Sequence, residues 1–217
     1  MKYGIMGASG RMGKELLKVF GPENCVLSVS LEGEDVRGEP QVMLDFSRPQ
    51  ALARSVELCE RYGAALVVGT TALDEKHFEM LQELARWVPV VQGYNFSMGI
   101  GILREILRQY APALSEWDAE VVEAHHVHKV DAPSGTAIRL GEAVGRECPT
   151  HSLRLGGVPG DHSVIFANQG EVLSFSHRAV SRGVFALGAL KAAAFALEQD
   201  PGFYCFEEVV ACALKRS

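Results

Sequence analysis

The sequence predicts an α/β chain in two parts: a largely parallel sheet covered by helices on both faces, followed by an α+β part built on an open mixed sheet. Three observations predict it. Up to Ser97, short apolar runs alternate with helical stretches, separated by glycine, proline or polar turns. Beyond Ser97, one long helical pattern and several short strands with glycine-containing turns such as Asn168-Gln169-Gly170 take over. The length, 217 residues, suits one large domain or two small ones and buries a sizeable core.

The elements follow in order. Lys2–Met6 reads as a short strand. Gly7 to Gly13 is a loop turning into a helix that stops near Phe20, ahead of Gly21-Pro22. Cys25–Leu31 is a second strand, and residues 32–40 a polar turn. Val42–Asp45 is a third strand, after which Pro49 opens a helix to about Tyr62. Ala65–Val68 is a fourth strand, Asp74 starts a helix ending near Trp87, and Val88–Gln92 is a fifth strand. The later part predicts a helix from about Gly99 to Leu114, with Ile102, Leu103, Ile106, Leu107 and Tyr110 on one side. A strand over Asp118–Ala124 leads into a helix from Gly135 to about Arg146. Ser152–Leu155, Ser163–Phe166 and Glu171–Ser176 are short strands, and Val184–Leu197 is a small-residue helix suited to close packing.

Composition excludes several function classes. Hydrophobic residues make up 47% and charged residues 22%, ordinary for a globular protein. A net charge of −6 offers no basic stripe for nucleic acid, although a local site can still hold an anion. Five scattered cysteines without a CxxC pair argue against a disulfide framework or zinc site and fit a reducing cytoplasm. The start of the chain runs straight into a glycine loop and does not read as a signal peptide. The most apolar window, Val184 to Leu197, is short for a membrane span and contains Lys191.

Ligands of a parallel sheet sit beyond the carboxyl ends of its strands, and Gly7–Gly13, Gly69–Thr71 and Gly93–Ser97 all lie there. Gly7, Gly10 and Gly13 form GxxGxxG between a strand and a helix. That pattern gives a tight turn, close approach of backbone to a pyrophosphate, and helix N–H groups facing phosphates, with Arg11 as an added charge. A structural glycine turn is the plain alternative. Glu32 ends the second strand, where an acidic residue takes a ribose diol, with Glu34 and Asp35 as competitors. Gly33 follows it instead of a basic residue, which leans toward NADH or toward both cofactors.

The densest chemistry is Glu123-Ala124-His125-His126-Val127-His128-Lys129-Val130-Asp131-Ala132-Pro133-Ser134-Gly135-Thr136. A metal site is one reading of the histidines, but no further ligand is near and Lys129 repels a cation. Histidines satisfied by hydrogen bonds at a strand end are a second. Acid–base and anion-binding chemistry is the third: imidazoles exchange protons near neutral pH, Lys129 supplies charge, and the Ser-Gly-Thr turn opens a helix N-terminus with Ser134 as its cap.

This segment resembles the signature of the 4-hydroxy-tetrahydrodipicolinate (dihydrodipicolinate) reductase family. Gly7–Gly13, Asp45-Phe46-Ser47-Arg48-Pro49, Val68-Gly69-Thr70-Thr71 and Asn95-Phe96-Ser97 match it in order. The resemblance implies a Rossmann-like dinucleotide domain over residues 1–96 and 183–217, and a substrate-binding and oligomerisation domain over 97–182 in a homotetramer. It implies reduction of a small dehydrated dicarboxylate heterocycle to tetrahydrodipicolinate by NADH or NADPH, on the route to diaminopimelate and lysine. By motif, His125 is the expected proton donor and Lys129 the charge stabiliser or second donor. His126, Gly135 and Thr136 would contact substrate carboxylates. Gly7, Ala8, Ser9, Gly10, Arg11 and Met12, then Gly69, Thr70 and Thr71, then Gly93, Tyr94, Asn95 and Phe96, would contact the cofactor, with Glu32 on the ribose. No metal, nucleic acid or membrane is implied. The chain is short for the family between Leu31 and Val42 and over residues 155–162. Hinges are expected near Asn95–Ser97 and Ser181–Gly183. Another nicotinamide-dependent reductase of a small oxo acid, or an NAD(H)-binding protein without turnover, are the alternatives, and the His-His-x-His-Lys run argues against both.

Overall fold

The computed structural model describes residues 1–215. The chain divides into two compact units, Met1–Phe96 with Gly183–Ser217, and Ser97–Arg182.

The first unit contains β1 (Tyr3–Met6), α1 (Arg11–Phe20), β2 (Cys25–Ser30), β3 (Gly33–Val36), β4 (Val42–Asp45), α2 (Leu52–Tyr62), β5 (Ala65–Val68), α3 (Glu75–Leu84) and β6 (Pro89–Gln92). The second contains α4 (Met98–Tyr110), β7 (Asp118–His125), α5 (Gly135–Val144), β8 (Thr150–Arg154), β9 (Asp161–Ala167) and β10 (Val172–Arg178). The chain then returns to the first unit with α6 (Gly183–Ala196), β11 (Gly202–Cys205) and α7 (Phe206–Lys215).

In the first unit seven strands run in the order β11-β6-β5-β4-β1-β2-β3. All neighbours are parallel except β3, which is antiparallel to β2. The α/β prediction is borne out, and the all-buried runs of β1, β4 and β5 are what a sheet covered on both faces requires. β3 corrects the expectation of a polar turn over residues 32–40. Its Gly-Glu-Asp-Val run is exposed throughout, so it carries no apolar alternation, and its charges suit an edge strand. β11 and α7 are elements the sequence reading did not place.

The second unit's four strands run β10-β9-β7-β8, with β7–β8 parallel and the other pairs antiparallel. Leu103, Leu107, Ala111, Val121, Ala137, Leu140, Val164 and Phe166 form its core. The α4 expectation needs correction. The helix ends at Tyr110 and a 3-10 turn covers Ala111–Leu114. Its buried face is Ile100, Leu103 and Leu107, continued by Ala111, whereas Ile102 and Tyr110 are exposed. Steps of three and four residues select that face, and Ile102 lies off it.

Candidate active site

In the first unit, strand register lines up the functional loops. Val29, Met6, Asp45, Val68 and Gln92 pair in one row across β2, β1, β4, β5 and β6. The residues that follow them, Ser30, Gly7, Phe46, Gly69 and Gly93, therefore form one rim at the carboxyl ends. β1 lies between β2 and β4, so the chain reverses direction across the sheet there, where such folds place ligands. A groove of about 600 Å³ opens at this rim. Gly7, Ser9, Gly10, Arg11, Met12, Gly69, Thr70 and Thr71 line it.

The glycine loop is built for close approach. Gly7 has φ +81°, a conformation that favours glycine. A Cβ on Gly13 would collide with the carbonyl oxygens of Gly7 and Ala8. The Gly7 and Ala8 amides both donate to Val29 O, at 2.8 and 3.0 Å, so these residues shape the turn. The N-cap of α1 is Gly10, which offers no side-chain cap and leaves the helix start suited to a phosphate. The residues thus fit a dinucleotide pyrophosphate.

The remaining expected cofactor contacts divide. Thr70 is buried, and its hydroxyl donates to Asp45 Oδ1 at 2.8 Å while accepting the Ser47 N–H at 2.9 Å. Phe96 is buried against Phe46 and Phe206. Ala8, Glu32, Gly93, Tyr94, Asn95 and Phe96 are not among the groove-lining residues. Glu32 sits in the turn of the β2–β3 hairpin, and hydrogen bonding from Ser30, with a smaller contribution from Ser9, holds its carboxyl below the ordinary range. Sequence reasoning gave no role to Ser47, Arg48 and Arg54, which also line the groove, or to Asp45 beneath it. The signal was the Asp-Phe-Ser-Arg-Pro run directly after a strand.

In the second unit the alternation of β7 turns Ala119, Val121, Glu123 and His125 to the buried face. Register sets Glu123 opposite His162 of β9 and Ser152 of β8, and His125 opposite Arg154. Glu123 is completely buried. Its Oε2 is hydrogen-bonded to His125 Nδ1, and Arg154 approaches both carboxylate oxygens at 3.0 and 2.9 Å. Burial opposes the charge, but hydrogen bonds led by Arg154 outweigh it and hold the Glu123 carboxyl at about 2. The His162 ring meets His125 edge-on, with centroids 5.1 Å apart. Burial, reinforced by His125, pushes His162 down to about 4.

Lys129 Nζ lies 2.7 and 2.8 Å from the carboxylate oxygens of Asp131. His126 has an enclosed Nδ1 without a hydrogen-bond partner among the described residues. Burial holds its imidazole below the ordinary value, and Arg182, His128, His125 and Lys129 add to the effect. Ser134 caps α5, its Oγ accepting the Ala137 N–H at 3.2 Å, and Gly135 beside it has open space where a side chain would be. A buried polar orphan, several cations and a helix start suit a carboxylate-bearing ligand. Sequence reasoning missed Arg154 and His162 because only sheet register brings them to the histidines.

The family described as dihydrodipicolinate reductase, N-terminus, matches residues 1–96, and its C-terminus counterpart matches residues 99–210. A curated 4-hydroxy-tetrahydrodipicolinate reductase of Thermosipho africanus is 50% identical over 212 residues, covering 97% of this chain and 98% of that protein. One of Xanthomonas campestris pv. campestris is 40% identical over 232 residues, covering 97% and 98%. Among solved structures, a dihydrodipicolinate reductase from Paenisporosarcina sp. TG-14, described as dipicolinate-bound, superposes with a TM-score of 0.75 at 22% identity, covering 96% of this chain and 98% of that one. With both halves matched and half of its residues shared with a relative of nearly the same length, this chain belongs to the dihydrodipicolinate reductase family.

Proposed function

We propose that this protein reduces the dehydrated form of 4-hydroxy-tetrahydrodipicolinate to tetrahydrodipicolinate, with His125 as proton donor and Lys129 as charge stabiliser. Membership of the family and the curated relatives support the reaction. The observation that carries the residue roles is the cluster at the end of β7, where His125 is anchored at Nδ1 by a buried carboxylate.

The nicotinamide, when bound, supplies hydride to the electron-poor conjugated imine. The groove of the first unit would hold the dinucleotide, with the glycine loop and α1 for the pyrophosphate and Gly69–Thr71 for further contacts. Glu32 for the ribose and Gly93–Phe96 for the remainder are assigned by motif and lie outside the groove lining. The second unit holds the heterocycle. His126, Gly135 and Thr136 take its carboxylates. Negative charge that develops on the conjugated nitrogen system is stabilised by Lys129 and discharged by a proton from His125. His125 has Nε2 to offer, because Nδ1 is committed to Glu123.

The outer face of the second sheet, with Val172 and Leu153 exposed, supports a contact surface between copies and a homotetramer. A light-scattering mass of four chains is the expected readout. The free thiols of all five cysteines suit a reducing cytoplasm. The test of the reaction couples the protein to a synthase that makes the substrate from pyruvate and aspartate semialdehyde, and follows loss of NADH or NADPH absorbance. Oxidation with either cofactor supports the proposal and its rates rank the two; background rates with both overturn it.

A further inference from the structure

We propose that Glu123 and Arg154 are positioning residues: the carboxylate fixes the proton of His125 on Nδ1, leaving Nε2 as the reacting atom, and the guanidinium holds the turn that carries Lys129. This rests on the reading of His125 as the acid.

A fully buried carboxylate is costly unless its lone pairs are filled and its charge is matched. Both conditions hold for Glu123. Oε2 receives His125 Nδ1 and Arg154 Nη1, and Oε1 receives Arg154 Nη2 at 2.9 Å and the Ser134 backbone N–H at 3.3 Å. An ionised carboxylate only accepts, so the imidazole nitrogen facing it must carry the proton. The other nitrogen, Nε2, lies beside Gly160, where a Cβ would come within 3.1 Å of it. Glycine there leaves the reacting nitrogen uncrowded. Through the Ser134 N–H the same carboxylate also fixes the start of α5, where substrate carboxylates are assigned.

Arg154 extends the arrangement to the lysine. Its Nε donates to Lys129 O at 3.3 Å and its Nη2 to Asp131 O at 2.6 Å. One planar guanidinium thus clamps Glu123 on one side and two carbonyls of the 129–131 turn on the other. A lysine has no second arm to do this. The acid, the charge stabiliser and the carboxylate cradle are held to one ion pair between buried Glu123 and partly buried Arg154.

The charged and titratable groups around His125 are Glu123 on its own strand, Arg154 on β8, His162 on β9 and His126 next to it in the chain. In Glu123→Gln the imidazole faces an amide that can donate as well as accept, so its tautomer is no longer fixed, and Arg154 loses its counter-charge. Turnover should then fall, because Nε2 is no longer held as the reacting atom.

The experiment uses full-length protein labelled with ¹⁵N-histidine, with His125 assigned by its loss in His125→Gln. Long-range ¹H–¹⁵N spectra read the tautomer, and kcat is measured beside them. The expected results are a neutral wild-type His125 protonated at Nδ1, and loss of that single tautomer in Glu123→Gln. kcat falls by roughly 10–100-fold in the variant as Nε2 is no longer held in place, and Glu123→Asp restores part of it. Arg154→Lys is expected to keep the tautomer and raise KM for the heterocycle about tenfold, roughly 1.4 kcal/mol. A Glu123→Gln protein with wild-type tautomer and kcat overturns the proposal. Should that variant not fold, the wild-type spectrum decides, because a proton on Nε2 overturns it equally. The tautomer is read without turnover. Full activity in His125→Gln therefore removes the acid assignment while leaving the role of Glu123 separately measurable.

Discussion

His125 and Lys129 are held in different ways, and substitutions should separate them. His125 is nearly buried and bound to Glu123, so its ring orientation is fixed before any ligand arrives. His125→Gln keeps a polar side chain but removes a titratable proton. Turnover should fall by roughly 10²–10³, with NAD(P)H affinity unchanged in a fluorescence titration, because the cofactor groove is lined by residues of the first unit. Lys129 instead rests on Asp131, whose carboxyl its hydrogen bond holds below the ordinary range. On the proposed role of Lys129, a dicarboxylate substrate would compete with Asp131 for that ammonium. Lys129→Ala should therefore raise KM and lower kcat together, whereas Asp131→Asn should lower KM by about two- to fivefold, the worth of a partly exposed ion pair. Steady-state kinetics of both variants check this, and an unchanged KM in each would remove Lys129 from the substrate.

At the scale of elements, the loops of the cofactor groove are joined by one carboxylate. Asp45 at the end of β4 accepts from Ser47 N–H, Ser47 Oγ and Thr70 Oγ1 at 3.1, 2.5 and 2.8 Å, and from Ser55 Oγ of α2 at 2.7 Å. It ties the loop after β4 to the loop after β5 and to α2. Asp45→Ala leaves these donors unsatisfied in a buried place, at about 2–4 kcal/mol. Urea unfolding should show that loss, and KM for NAD(P)H should rise as the two loops separate. Unchanged unfolding and KM would mean that water replaces the carboxylate. The glycine loop and the two other carboxyl-end loops were legible in sequence because period and punctuation are local. The joint role of Asp45 was not, since Thr70 is 25 residues away. Arg154 lies 31 residues from Glu123 and meets it only through the parallel register of β7 and β8. Edge strand β3 was read as a turn because solvent on both sides erases the apolar alternation by which strands are recognised.

For the molecule as a whole, the buried imidazoles set the acid limit of stability. His162 is nearly inaccessible, its Nε2 is 3.3 Å from Ser134 Oγ, and burial followed by His125 brings it from 6.5 to about 4. Between those values the unfolded chain binds a proton that the folded chain refuses, so stability rises with pH across the window. It is fully present above about 6.5 and is lost progressively as pH falls toward 4, by up to about 3 kcal/mol for this one group. His126 and His177 are also lowered, chiefly by burial, and act with the same sign. Glu123 contributes in a separate window, because its carboxyl falls from 4.5 to about 2 and its stabilisation is lost only below that of the imidazoles. Urea midpoints of the full chain should therefore decline from pH 6.5 to 4. His162→Gln, which keeps a polar partner for Ser134 without a titrating ring, should flatten the decline while leaving its continuation below pH 4. Parallel declines in wild type and variant would show that His162 takes up its proton without resistance from the fold.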